Sequence, residues 1–226
     1  ALSEAGEALW RLSRTSAALT LWQRALTIAP THSKTLQRLG HAYLKLEQPA
    51  ESLLALEAAL AAEPENATLG RETARAALAF GDLERAAHHL ETALVAAPGD
   101  PDVRMLLGDV YERRNDNEKA VTLYRQAVRL APDDGRPLAM LAEALTRTGN
   151  VTEAAGEMRR AVSLSPESVD VQKRAGRVFL KARRAAEAVD SYAKWVELAP
   201  RDAEAHLAQA EALVALAEHA ELETVS

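Results

Sequence analysis

Val128 to Pro137 reads VRLAPDDGRP, and this stretch decides the fold. Val128 and Leu130 close an apolar helical pattern. Pro132 lacks a backbone N–H and pushes the residue before it out of helical geometry, while Asp134 offers an acceptor to the free N–H groups of a following helix. One helix therefore stops and another starts within a few residues. The same mark recurs in TIAPTH, AAEPEN, VAAPGD, SLSPES and ELAPRD, so that Pro30, Pro64, Pro98, Pro132, Pro166 and Pro200 stand 34 residues apart. A fixed period of this length is the signature of a repeat architecture.

Outward from the prolines, other residues keep the same step. Small residues recur at Ala25, Ala59, Ala93, Ala127 and Ala161, at Ala18, Ser52, Ala86, Ala120, Ala154 and Ala188, and at Gly6, Gly40, Gly108 and Gly176, with Ala74 and Ala142 at the intervening glycine positions. Large apolar residues recur at Trp22, Leu56, Leu90, Tyr124, Met158 and Tyr192. These are knobs for small-residue holes where two helices approach closely.

Within a unit the apolar spacing is helical: Leu36, Leu39, Tyr43 and Leu46 on one segment, Leu53, Leu56 and Leu60 on the next. Each unit is thus two helices. The break between them falls at Gly81-Asp82, Asn115-Asp116 and Gly149-Asn150, where Gly or Asn closes the first helix in the left-handed conformation and Asp or Asn caps the second. Pro49 fits a first helical turn. Asn66, Asp100, Asp134, Ser168 and Asp202, two residues after the period prolines, are acceptors for the next helix. A helix pair this short cannot bury its apolar stripe alone, so the units must stack.

The pattern resembles the tetratricopeptide repeat (TPR) family, which combines W/L, L, G, Y, A, F/Y, A and P at set offsets. Leu107-Gly108, Tyr111, Ala120, Tyr124, Ala127 and Pro132 carry the resemblance best, and Leu36, Leu39-Gly40, Tyr43, Ser52, Leu56, Ala59 and Pro64 nearly as well. The third unit departs at Gly70 and Thr73, and the sixth has Trp195 where Ala is expected, marking a local change of packing. The resemblance implies an all-α, right-handed superhelical solenoid of antiparallel helix pairs, a single TPR domain over 1–226. Its repeats run approximately 1–32, 33–66, 67–100, 101–134, 135–168 and 169–202, with 203–226 a seventh first helix and tail. It also implies a concave groove, lined by first helices, that binds a peptide or protein segment.

The chain has 226 residues, 48% hydrophobic and 27% charged, enough apolar content to fold. A net charge of -6 speaks against a duplex nucleic-acid partner, whose phosphates need neutralising. There is no Cys, hence no disulfide or thiolate metal site, and cytoplasm and periplasm both remain open as compartments for a soluble chain. Ser52 to Glu63, among the longest apolar-rich runs, contains Glu57 and falls short of the roughly 20 residues a bilayer requires, so no transmembrane segment is expected.

Non-core residues of the first helices are the candidate binding surface. Lys34, Gln37, Arg38, His41, Lys45, Arg71 and Arg75 lie there with Glu72, five basic residues against one acidic. The fourth and fifth units are mixed, with Asp102, Asp109, Glu112, Arg113, Arg136, Glu143 and Arg147, and the sixth is basic again with Lys173, Arg174, Arg177 and Lys181 against Asp170. Two basic patches suit an extended acidic partner; the alternative is that these are solvated helix faces. Some family members clamp a peptide's terminal carboxylates with Lys and Asn. Here Gln37, His41 and Glu72 occupy those positions, which disfavours that ligand. Trp10 is the candidate aromatic anchor of the groove, while Trp22 belongs to the core series.

No enzyme is expected: there is no strained nucleophile turn and no glycine-rich phosphate loop. Adjacent His88 and His89 point about 100° apart on a helix, and His219 with Glu223 make only two ligands, so neither metal nor other cofactor is expected. The leading expectation is a non-enzymatic protein-interaction scaffold. The alternatives are an assembly module of a bacterial envelope exopolysaccharide or pilus secretion system, and direct binding of an anionic polymer. Ala1 falls inside a first helix, and the last helix carries Leu207, Leu213, Val214 and Leu216 around much of its circumference. This suits a segment of a longer array, or self-association through the terminal helix.

Overall fold

The computed structural model describes the backbone of residues 1–225 and the side chains of residues 1–218. Among the described residues there are thirteen α-helices and no strand. First and second helices alternate: α1 (Leu2–Arg11), α2 (Thr15–Ile28), α3 (Ser33–Lys45), α4 (Pro49–Ala62), α5 (Ala67–Phe80), α6 (Leu83–Ala96), α7 (Pro101–Arg113), α8 (Asn117–Leu130), α9 (Gly135–Arg147), α10 (Val151–Leu164), α11 (Val169–Lys181), α12 (Ala185–Leu198) and α13 (Ala203–Val225). Two compact units divide the chain, residues 1–110 and the remainder from Tyr111. In the first, α1 packs on α2, α3 on α4 and α5 on α6, with α2 against α3 and α4 against α5. In the second, α9 packs on α10, α11 on α12 and α12 on α13, with α8 against α9 and α10 against α11.

The helix ends follow the local chemistry of the repeat mark. The residues before the period prolines, Ala29, Glu63, Ala97, Ala131, Ser165 and Ala199, all leave the helix with φ between -132° and -137°. With ψ between 57° and 84° they lie outside the helical region, which a following proline disfavours. Restart is by side-chain capping: Asn66 accepts from Leu69 N (3.0 Å), Asp100 from Asp102 N (2.8 Å), Asp134 from Arg136 N (2.9 Å), Ser168 from Val171 N (3.4 Å) and Asp202 from Glu204 N (3.0 Å). At the corresponding place before α3, His32 Nδ1 accepts from Thr35 N at 3.2 Å, a cap the sequence pattern did not suggest.

Within each unit, Gly81, Asn115 and Gly149 have φ of +89°, +62° and +85°, as the turn between the two helices requires. Asp82 and Asp116 cap α6 and α8. Asn150 departs from expectation: it makes no cap bond to α10, because its amide turns back to donate to Thr148 Oγ1 at 3.1 Å.

The core is the knob-and-hole series. Trp22, Leu56, Leu90, Tyr124, Met158 and Tyr192 are all buried, each Leu of this kind stabilising by about 2 kcal/mol through removal from water. The glycines make room for them: a Cβ at Gly6 would come within 2.6 Å of Trp22, and one at Gly40 within 2.5 Å of Leu56. Leu46 is a correction to the expected apolar stripe, since it is the C-cap of α3 and lies 37% exposed. Trp195 is buried beside Tyr192, ring centroids 6.0 Å apart, with the Lys173 ammonium 5.0 Å from its ring.

Candidate functional site

Successive first helices repeat every 34 residues, so a residue i lies beside i+34 and its neighbours, and polar side chains at that offset meet. In the first unit, Arg38 of α3 donates to both carboxylate oxygens of Glu4 on α1 (3.0 and 2.9 Å) and to Ser3 Oγ (2.7 Å), with its Nε 3.4 Å from Glu7. Lys34 lies 3.7 Å from Glu4. One step further, Gln37 donates to Glu72 of α5 (2.7 Å), and His41 Nε2 meets the same oxygen at 3.0 Å. Arg71 donates to Asp100 (2.9 Å) and Asp102 (3.2 Å).

The second unit has such contacts of its own. Arg147 of α9 pairs with Glu112, and Arg174 and Arg177 of α11 both reach Glu143 on α9, Arg177 at 2.8 Å. Arg174 also holds Asp170 at 2.8 Å, and Lys173 meets Glu204 of α13 at 2.6 Å. Arg136 pairs locally with Asp134, the cap of its own helix, at 2.6 Å.

These contacts shift protonation. Arg38's hydrogen bond to Glu4 holds that carboxyl below its ordinary value. Burial would raise Glu72, but hydrogen bonds from His41 and Gln37 outweigh it and the carboxyl stays below the ordinary 4.5. Burial disfavours the charged form of Arg174, yet Glu143 and Asp170 more than compensate and raise its pKa.

Of the sequence-selected residues, Lys34, Gln37, Arg38, His41, Arg71, Lys173, Arg174 and Arg177 are thus brought together with acids or acceptors of adjacent first helices. Arg75 is exposed and carries no acidic partner among the described residues. Lys45 and half-buried Trp10 sit apart from this ladder, at the C-terminal ends of α3 and α1, with the ammonium 5.9 Å from the Trp10 ring centroid. Sequence reading missed the acids Glu4, Glu7 and Asp100 as first-helix partners. The signal was present as separations of 29, 31 and 34 residues between opposite charges, the period itself or the period displaced along the helix.

Second helices have their own ladder, in which His89 Nε2 lies 3.1 Å from Glu57, and a recess of about 610 Å³ is lined by Pro64, His88, Thr92 and Val95 among others. Among the described residues no group of three or more His, Cys, Asp or Glu is placed to hold a metal ion. His219 and Glu223 lie outside the described side chains. No described helix is long and apolar enough to cross a membrane.

Solved structures with this fold include a thermophilic TPR protein of Thermus thermophilus, with a TM-score of 0.68 and 23% identity over 80% of this chain and 99% of that one. Pseudomonas aeruginosa pilF matches with a TM-score of 0.69 and 17% identity over 93% and 96% of the two chains. PilW, a widely conserved type IV pilus biogenesis factor, matches with a TM-score of 0.74 and 13% identity over 91% and 96%. At these identities the likeness is one of fold. No curated protein matches the sequence. A family model does: that of the cilia and flagella-associated protein 70 C-terminal domain, a TPR model, matches residues 1–213. With the 34-residue period, the helix pairs and the knob-and-hole core in place, the chain belongs to this TPR family.

Proposed function

We propose that the chain is a non-enzymatic interaction scaffold that binds an extended protein or peptide segment across its first helices. The supporting observation is the state of the polar residues there in the first unit. Gln37, His41 and Glu72 form one hydrogen-bonded cluster spanning two repeats. Arg75 lies one helical turn beyond Arg71 and is left without an acid among the described residues. A preorganised polar strip beside an open guanidinium reads a segment by hydrogen bonds and anchors one acidic side chain, at little ordering cost to the scaffold.

The acidity required of the partner is therefore local rather than general. Arg38, Arg71 and Arg174 already face carboxylates, so a polyanion would have to displace them. A second reading, an assembly module of a bacterial envelope secretion system, draws on the likeness to the pilus biogenesis factor PilW. Peptides selected on the purified chain from a random-sequence library test the main reading. Selected peptides should share an acidic residue, and Arg75→Glu should weaken them at least about tenfold, the loss of one charge-assisted pair. Equal binding by Arg75→Glu and by His41→Ala would overturn it.

A further inference from the structure

Helix α4 is apolar on both sides. Leu53, Leu56 and Ala59 face the core and are buried, while Leu54 (65% exposed), Ala58, Ala61 and Ala62 form a stripe along its outer side. A helix apolar all round belongs in an interior, yet this one lies in the middle of the first unit with its outer side open. The repeat does not demand it. One period before Leu54, Ala58 and Ala61, α2 carries Thr20, Arg24 and Thr27, and two periods after them α8 carries Thr122, Gln126 and Arg129. Uncovered apolar residues that the scaffold's own packing does not require mark an association surface.

The neighbouring second helix extends this face. His89 and Arg85 of α6 reach Glu57 of α4 at 3.1 and 3.4 Å. The recess of about 610 Å³ opens between Pro64 and Glu65, which follow α4, and His88, Thr92 and Val95 of α6. Val95 is 84% exposed. Helices α4 and α6 and the link 63–66 carry Glu51, Glu57, Glu63, Glu65, Glu84 and Glu91 against a single cation, Arg85, which is already bonded to Asp82 and Glu57. Glu51 and Glu65 meet no cation among the described residues. Arg24 of α2, one period before Ala58, adds a second cation and leaves the balance acidic.

We propose that this face docks a helical segment of a partner protein, apolar on one side and bordered by Lys or Arg. Its apolar side chains lie on Leu54 and the alanines and reach Val95, and a flanking cation enters the recess beside Glu65. An amphipathic helix presents its anchors every three or four residues, which is the spacing of Leu54, Ala58 and Ala61. Charge chooses the occupant: an acidic face repels an anionic membrane and the same face of a second copy, and attracts a basic segment. The residues differ from Gln37, His41 and Arg75 of the first helices, so this contact and the binding of an acid-bearing segment fail independently.

Fluorescence anisotropy tests it with a labelled peptide of about 18 residues, long enough to hold a helix, bearing Leu at every third or fourth position and Lys beside each. A second peptide replaces every Lys by Glu. The lysine peptide should bind the full chain, less tightly in high salt, and at least about tenfold more tightly than the glutamate peptide. The variant Leu54→Thr/Ala58→Arg/Ala61→Arg installs on the exposed stripe the residue types that α2 and α8 carry there. Far-UV circular dichroism should stay helical, and the lysine peptide should bind at least about tenfold less tightly, as loss of an interface anchor does. Leu54→Thr alone leaves the charge unchanged and should weaken binding too, which separates docking on the stripe from general attraction. No binding of the lysine peptide, equal binding of the two peptides, or binding untouched by Leu54→Thr would overturn the proposal. So would a dimer of the chain in sedimentation velocity that the triple variant abolishes, since a second copy would then be the occupant.

Discussion

Arg174 of α11 is held against Glu143 of α9 across one repeat, with both side chains largely buried, 24% and 11% exposed. The pair ties two first helices whose backbones otherwise depend on apolar packing. Glu143→Ala should leave Arg174 with only Asp170, which is 61% exposed, and uncover a desolvated guanidinium. The expected loss is about 2 kcal/mol, the scale of hydrogen bonds to charged groups, read by urea unfolding followed by circular dichroism. An unchanged midpoint would mean that the ladder is ornamental to stability.

The glycines make opposite predictions at two places. A Cβ at Gly176 would collide with the ring of Tyr192, which is buried and cannot yield. Gly176→Ala should cost about 2 kcal/mol by overpacking. Gly156 lies inside α10 and a Cβ there meets nothing within 4 Å, so Gly156→Ala should stabilise by about 0.5–1 kcal/mol through helix propensity alone. Thermal unfolding of both variants checks the sign as well as the size.

Two asparagines at helix starts should behave differently. Asn66 caps α5 through Leu69 N, and Asn66→Ala should lose about 1 kcal/mol. Asn150 makes no such bond, so Asn150→Ala should fall within about 0.5 kcal/mol of wild type, as for ordinary surface positions. Equal losses at both sites, measured by denaturant midpoint, would contradict the capping assignment.

This contrast shows where sequence sufficed. The period prolines, the caps at Asn66 and Asp134, and the left-handed residues Gly81 and Asn115 were legible because they act through bonds to immediate neighbours. Asn150 and Leu46 were not: one chose between two nearby acceptors and the other sat at the point where the helix ends. The polar face was the least legible part. Arg38, Arg71 and Arg174 look like open cations when each helix is counted by itself, and only stacking at one period reveals Glu4, Asp100 and Glu143 as their partners.

Acid should loosen the first unit through Glu72. Its folded pKa lies below the ordinary 4.5, so the stability it contributes is fully present above that value and is lost as pH falls through the depressed one. The thermal midpoint of wild type should therefore exceed that of Glu72→Gln at neutral pH, and the gap should close on acidification below 4.5. A gap that stays constant across this range would assign the effect to shape rather than charge.

The central claim is that a partner segment lies across the first helices of the first unit. Chemical-shift mapping of the chain with a library-selected peptide tests it directly. Perturbations concentrated at Gln37, His41, Glu72 and Arg75 are the predicted result. Perturbations confined to second-helix residues such as Leu54, His88 and Val95, with Arg75 silent, would contradict the account.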